Sequence, residues 1–150
     1  MAVYSLNQII TIITGWEKDL QEFYGLLDHN LKDESARLLT GLLKKDQEGT
    51  VEMLERITLK KDEDLEYQKN LPNYGNRNII PEFKLTELAT AKDVLDQVFD
   101  YEEELLGVYQ HLRKIVVYQQ SKDLLDMLIQ RKLGQVKKIK SCMDSEGLAA

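Results

Sequence analysis

The stretch IITIITGWEKDLQEFYGLL (residues 9–27) returns as VLDQVFDYEEELLGVYQHL (residues 94–112), and the relation between the two decides the fold. In the first, Ile10, Ile13, Glu17, Leu20, Tyr24 and Leu27 recur at alternating steps of three and four, which places them on one stripe of an α-helix. Moved on by 85 positions they become Leu95, Val98, Glu102, Leu105, Tyr109 and Leu112, each of the same chemical type. The same offset carries Leu39, Leu42, Leu43, Gly49, Val51 and Leu54 onto Leu124, Met127, Leu128, Gly134, Val136 and Ile139. Two helical hairpins related as copies are expected.

Working outward, Ser5 and Gln8 have the spacing of a capping box, and helix 1 is predicted over about 6–29. A polar turn at 30–33 leads to helix 2, predicted over about 34–66. From Tyr67 to Phe83 the periodicity stops and Asn70, Pro72, Asn73, Gly75 and Pro81 supply turn chemistry. Helix 3 is predicted from a Thr86 cap to about Lys114, and helix 4 from a Ser121 cap to about Met143. Two hairpins joined by one long crossover between helices 2 and 3 give an all-α, ferritin-like antiparallel four-helix bundle occupying residues 1–150 as one domain.

Composition narrows the function classes. A net charge of -6 opposes phosphate, so nucleic acid is not an expected partner. The single cysteine, Cys142, excludes an internal disulfide and any CxxC site, and it reads as a packing thiol. The N-terminus lacks a basic region before its apolar stretch, and nothing resembles a membrane span, so a cytoplasmic protein is expected. His29 and His111 read as solvated, Trp16, Phe23 and Tyr24 as core, and of Glu102, Glu103 and Glu104 only the first points inward.

Charged residues interrupt all four seams. Glu17 and Glu102 lie on the stripes of helices 1 and 3, Asp46 on the stripe of helix 2 and Arg131 on that of helix 4. Buried charges cost several kcal/mol unless paired or coordinated, so this layer is either a metal site or an ion-paired network.

The stretch from Glu17 to Tyr24, its echo from Glu102 to Tyr109, and LLKKDQEGTVEMLER (residues 42–56) resemble the rubrerythrin branch of the ferritin-like superfamily over nearly the whole chain. That resemblance implies a di-iron centre held by one Glu on each of helices 1 and 3 and a Glu-x-x-His on each of helices 2 and 4. Glu17 and Glu102 match the single glutamates. The paired motifs fall on Asp46 and Gly49 and on Arg131 and Gly134, so both histidines and one carboxylate are missing and a cation is added.

The expectation is therefore a vestigial site. Arg131 should donate to Glu17 or Glu102, and no cofactor is expected. Weak iron or another divalent metal on Glu17, Asp46 and Glu102 is the alternative, with Glu48, Glu52 or water completing the set. The favoured function is a non-catalytic binding or structural module that self-associates through a helix face. A metal-dependent oxidoreductase or iron-handling protein with a reduced ligand set is the competing reading. The glycines at the two lost-histidine positions could also leave a void for a small molecule.

Overall fold

The computed structural model describes residues 5–57 and 87–149, with side chains described as far as 145. Four helices make up this part of the chain: α1 (Leu6–Asn30), α2 (Glu34–Glu55), α3 (Ala91–Ile115) and α4 (Gln119–Ala149). Among the described residues there is no strand. The protein is an all-α four-helix bundle.

Local chemistry sets the boundaries. Ser5 and Gln8 close the expected capping box on α1, and Asp33 accepts from the Ala36 amide to start α2. α3 starts later than predicted, because Thr90 pairs with Asp93 in a second capping box; Thr86 lies outside the described residues. Ser121 is not a cap: α4 begins at Gln119, leaving Ser121 inside the helix and buried, and runs past Met143 to Ala149. α2 ends at Glu55, with Arg56 as its C-cap. The rest of the stretch predicted to continue it, 58–66, and the crossover at 67–83 lie outside the described residues.

Helix directions follow from contacts at the ends. The Lys32 amide, in the turn between α1 and α2, donates to the Glu87 carbonyl just before α3, and the two side chains form an ion pair at 3.2 Å. α3 therefore starts where α1 ends. It runs antiparallel to α1 and parallel to α2, so the end of α2 and the start of α3 lie at opposite ends of the bundle. α1 packs along α2 and α3 along α4, while α2 also touches α3.

The repeated seams of α1 and α3 are buried throughout, with Ile13, Leu20, Leu27, Val98 and Leu105 wholly enclosed. On α2 and α4 the inward stripe lies one residue away from the apolar pattern. It passes through Ala36, Thr40, Gln47, Thr50 and Leu54 on α2, and through Ser121, Leu125, Leu128, Lys132, Gln135 and Ile139 on α4. Leu42 and Met127, expected inside, are 69% and 43% exposed. These stripes keep the 85-residue offset, so the repeat holds while the phase within α2 and α4 changes.

Candidate functional site: a buried ion cluster at the bundle centre

The seam of α1 brings Glu17 and that of α3 brings Glu102 to the centre of the bundle, where they are 0% and 1% exposed. Because the two helices are antiparallel repeats, each glutamate faces the tyrosine seven residues beyond the other. The Tyr109 hydroxyl donates to Glu17 Oε1 at 2.8 Å, and the Tyr24 hydroxyl donates to Glu102 Oε1 at 2.7 Å. The repeat in the sequence thus becomes a local two-fold relation between side chains.

The cation at this centre is Lys132. Its ammonium, on a side chain 1% exposed, lies 2.7 Å from Glu17 Oε1 and 2.7 Å from Glu102 Oε2, and donates to Glu17 Oε2 at 3.0 Å. The position equivalent to Lys132 on α2 is Gln47, whose amide donates to Glu17 Oε2 at 2.7 Å and to the Glu17 carbonyl at 2.9 Å. One turn further on, Gln135 Nε2 donates to Gln47 Oε1 at 3.3 Å. Glu17 therefore accepts four hydrogen bonds from three groups, Tyr109, Gln47 and Lys132, at its carboxylate and backbone. Glu102 has fewer partners: it accepts from Tyr24 and holds the Lys132 ammonium as an ion pair at 2.7 Å.

The electrostatics follow from this enclosure. Burial pushes the Glu102 carboxyl above its ordinary range and Glu17 adds to the rise, against the pull of Lys132. Burial alone would lower Lys132, but the two carboxylates outweigh it and hold the ammonium above its usual value. The Tyr24 and Tyr109 phenols are pushed well up by burial and by the neighbouring carboxylates. The cluster is built to keep its protons.

The expected layer is corrected on two of its four members. Asp46 and Arg131 do not reach the centre: their side chains are 31% and 32% exposed. Arg131 instead bridges α4 to α2 near the surface, donating from Nε to Thr50 Oγ1 at 2.7 Å and from Nη2 to the Asp46 carbonyl at 2.9 Å. Its distance to Asp46 Oδ1 is 3.7 Å, and Lys138 lies equally far from the same oxygen. Gly49 lies under the guanidinium, where a β-carbon would come within 2.8 Å of Arg131 Nη2; a β-carbon at Gly134 would meet nothing within 4 Å.

The residues that sequence reasoning missed are Gln47, Thr50, Lys132 and Gln135. The missed signal was the polar i, i+3 pair in each hairpin, 47 with 50 and 132 with 135, in phase with Leu43 and Leu54 and with Leu128 and Ile139.

The centre offers two carboxylates, two amides, two phenols and an ammonium, with no imidazole. Among the described residues no group of three or more His, Cys, Asp or Glu could hold a metal ion. Lys132 stands between the carboxylates that a metal would need. His29 and His111 are exposed, as are Glu103 and Glu104, and Trp16, Phe23 and Tyr24 are core residues. Phe23 makes an edge contact with Tyr101 at 5.2 Å between ring centres.

No protein-family model matches this chain, and no curated protein or solved structure matches it either. Among the described residues no helix is long and apolar enough to cross a membrane.

Proposed function

We propose that this protein is a ferritin-like bundle in which an organic ion cluster stands in the place of a di-iron centre, and that it acts as a non-catalytic binding or structural module. The observation that carries the reading is Lys132, whose ammonium contacts both Glu17 and Glu102 at 2.7 Å. A fixed cation there satisfies the carboxylates that would otherwise be available to hold a metal, and it repels a divalent ion by direct charge. Supporting it, the i, i+3 positions on α2 and α4 that face the glutamates hold Gln47 with Thr50 and Lys132 with Gln135, where the family pattern has Glu-x-x-His. None of these four is a good ligand for iron.

Metal analysis of protein purified from iron-supplemented cells tests the proposal. It predicts no stoichiometric iron, manganese or zinc. A full complement of iron with an oxo-bridge absorption band would overturn it.

Self-association belongs to the same reading. Leu38 and Leu42 lie one turn apart on α2 and are 68% and 69% exposed, an apolar pair suited to a helix-face contact between copies. Sedimentation of the protein against a Leu38→Lys/Leu42→Lys variant checks it: a monomeric boundary for both removes the claim.

A further inference from the structure

A cavity of about 670 Å³ opens between α2 and α4. That volume falls in the range of small-molecule sites, roughly 300–1,000 Å³. Leu39, Leu42, Leu43 and Ile139 make its walls apolar. Toward the start of α2 a smaller cavity of about 240 Å³ shares Leu39, Ser141 and Cys142 with it and reaches Leu95. The apolar space therefore runs along the two helices.

Its polar groups divide between floor and mouth. At the floor stand Tyr24, Glu102 and Gln135, turned toward one another and toward the ion cluster. The Tyr24 hydroxyl donates to Glu102 Oε1 at 2.7 Å, the Lys132 ammonium lies 2.7 Å from Oε2, and Gln135 donates to Gln47. Glu102 is 1% exposed, so a ligand meets no open charge there.

At the mouth the balance is positive. Lys137 and Lys138 lie on the lining and are exposed. Asp46, the other acidic residue of the lining, already has two cations set against it: Arg131 and Lys138 each lie 3.7 Å from its Oδ1. Lys137 is in no ion pair among the described residues. The excess is local, in a chain whose net charge is -6. From Met127 to Met143, α4 carries Arg131, Lys132, Lys137, Lys138 and Lys140 with no acidic residue among them.

An apolar trough with a cationic rim matches a molecule with an apolar tail and an anionic head. The tail leaves water among the leucines, and the head stays at the rim, where lysine stems lie along apolar surface and their ammonium groups reach water. A cationic head would meet two like charges, and a neutral head would leave Lys137 unpaired. We infer that the cavity is a binding site for a free, single-chain aliphatic carboxylate, with its tail along Leu39, Leu43 and Ile139 and its carboxylate at Lys137 and Lys138. The inference deepens the binding-module reading and rests on it.

The probe is decanoate, titrated calorimetrically into the full-length protein at neutral pH, with 1-decanol and decyltrimethylammonium as comparators. Saturable decanoate binding is expected, tighter than that of either comparator by about tenfold or more, as a charge-assisted contact supplies. Equal binding of decanol removes the recognition of the head, tighter binding of decyltrimethylammonium removes the charge argument, and no decanoate binding removes the site. Cys142, the sole cysteine, lines the cavity and reports on where the probe sits. Saturating decanoate should slow its alkylation by iodoacetamide, and an unchanged rate contradicts the placement. Vesicles of phosphatidylglycerol present anionic heads and tails as a surface instead. Flotation of the protein with them, with no protection of Cys142 by decanoate, would move the recognition to a membrane and overturn the proposal.

Lys137→Gln/Lys138→Gln changes two exposed side chains, so the bundle should fold, and it should bring decanoate affinity down about tenfold, to that of decanol. Gly134→Leu projects a side chain from the cavity lining without a clash at its β-carbon and should abolish binding of both. Unchanged decanoate affinity in either folded variant contradicts the proposal. Failure here is distinct from failure of the metal reading: iron in the purified protein would overturn the module, whereas a metal-free protein that ignores decanoate would overturn only the ligand.

Discussion

Lys132 Nζ lies 2.7 Å from Glu102 Oε2, with both side chains 1% exposed. Neither charge could stand there alone, since removing one partner of a buried pair typically costs about 3–5 kcal/mol. The pair also marks the weaker side of the cluster, because Glu102 has fewer donors than Glu17. Several consequences differ between the two glutamates for that reason.

Tyr24→Phe should destabilise more than Tyr109→Phe. Without the Tyr24 hydroxyl Glu102 keeps the Lys132 ion pair, whereas Glu17 keeps both Gln47 and Lys132 when Tyr109 loses its hydroxyl. The expected loss is about 1–3 kcal/mol for Tyr24→Phe and less for Tyr109→Phe. Urea denaturation of the two variants checks the order, and equal losses would remove the asymmetry.

Stability should fall steeply at high pH. Lys132, Tyr24 and Tyr109 all hold their protons more tightly folded than unfolded. Each contribution is therefore complete below the unfolded values, about pH 10, and is lost as pH rises toward the folded ones. Phenolate absorbance during a base titration should show Tyr24 and Tyr109 ionising only with unfolding. In the Tyr24→Phe/Tyr109→Phe variant the alkaline limb should be shallower, and an identical limb would contradict the assignment.

On the acid side the sign is opposite to that of an exposed ion pair. The Glu102 carboxyl is raised, so the folded state takes up its proton before the unfolded chain does. Its contribution to stability therefore grows as pH falls through the folded value toward about 4.3, the unfolded one. Glu102→Gln should remove that gain. Chemical denaturation across mildly acidic pH checks it, and a slope unaffected by the substitution would refute it.

The two glycines at the positions expected for histidine should respond differently to alanine. Gly134→Ala meets open space and should stabilise by about 1 kcal/mol through helix propensity. Gly49→Ala pushes on Arg131 Nη2, which can move but would strain its bonds to Thr50 and Asp46. The propensity gain there should be largely offset. Thermal melting of the two variants checks the contrast, and matching gains would mean that Arg131 is not held over Gly49.

How much of this was legible beforehand depended on where apolar residues mark the seam. On α1 and α3 they do: Ile13, Leu20, Val98 and Leu105 flank Glu17 and Glu102, and both the helical phase and the inward charges could be read directly. On α2 and α4 the inward stripe is itself polar at Thr40, Gln47, Thr50, Lys132 and Gln135. Apolar periodicity then favoured the neighbouring stripe through Leu39, Leu42, Leu124 and Met127, and with it Asp46 and Arg131. The error was one residue in each helix. A lysine whose burial depends on carboxylates from two other helices leaves no mark in local hydropathy.

The choice between Lys132 and Arg131 as the central cation is tested most directly by one measurement: the denaturation free energies of Lys132→Met and Arg131→Ala beside the parent, at pH 7 and again at pH 5. Lys132→Met keeps the side-chain volume and leaves Glu17 and Glu102 uncompensated. A loss of about 3–5 kcal/mol is expected at neutral pH, shrinking in acid as uncompensated carboxyls take up protons in the folded variant. Arg131→Ala, at a half-buried position with two bonds to α2, should lose roughly 1–2 kcal/mol with little dependence on pH. A small loss for Lys132→Met, together with a large, acid-rescued loss for Arg131→Ala, would make Arg131 and not Lys132 the central cation.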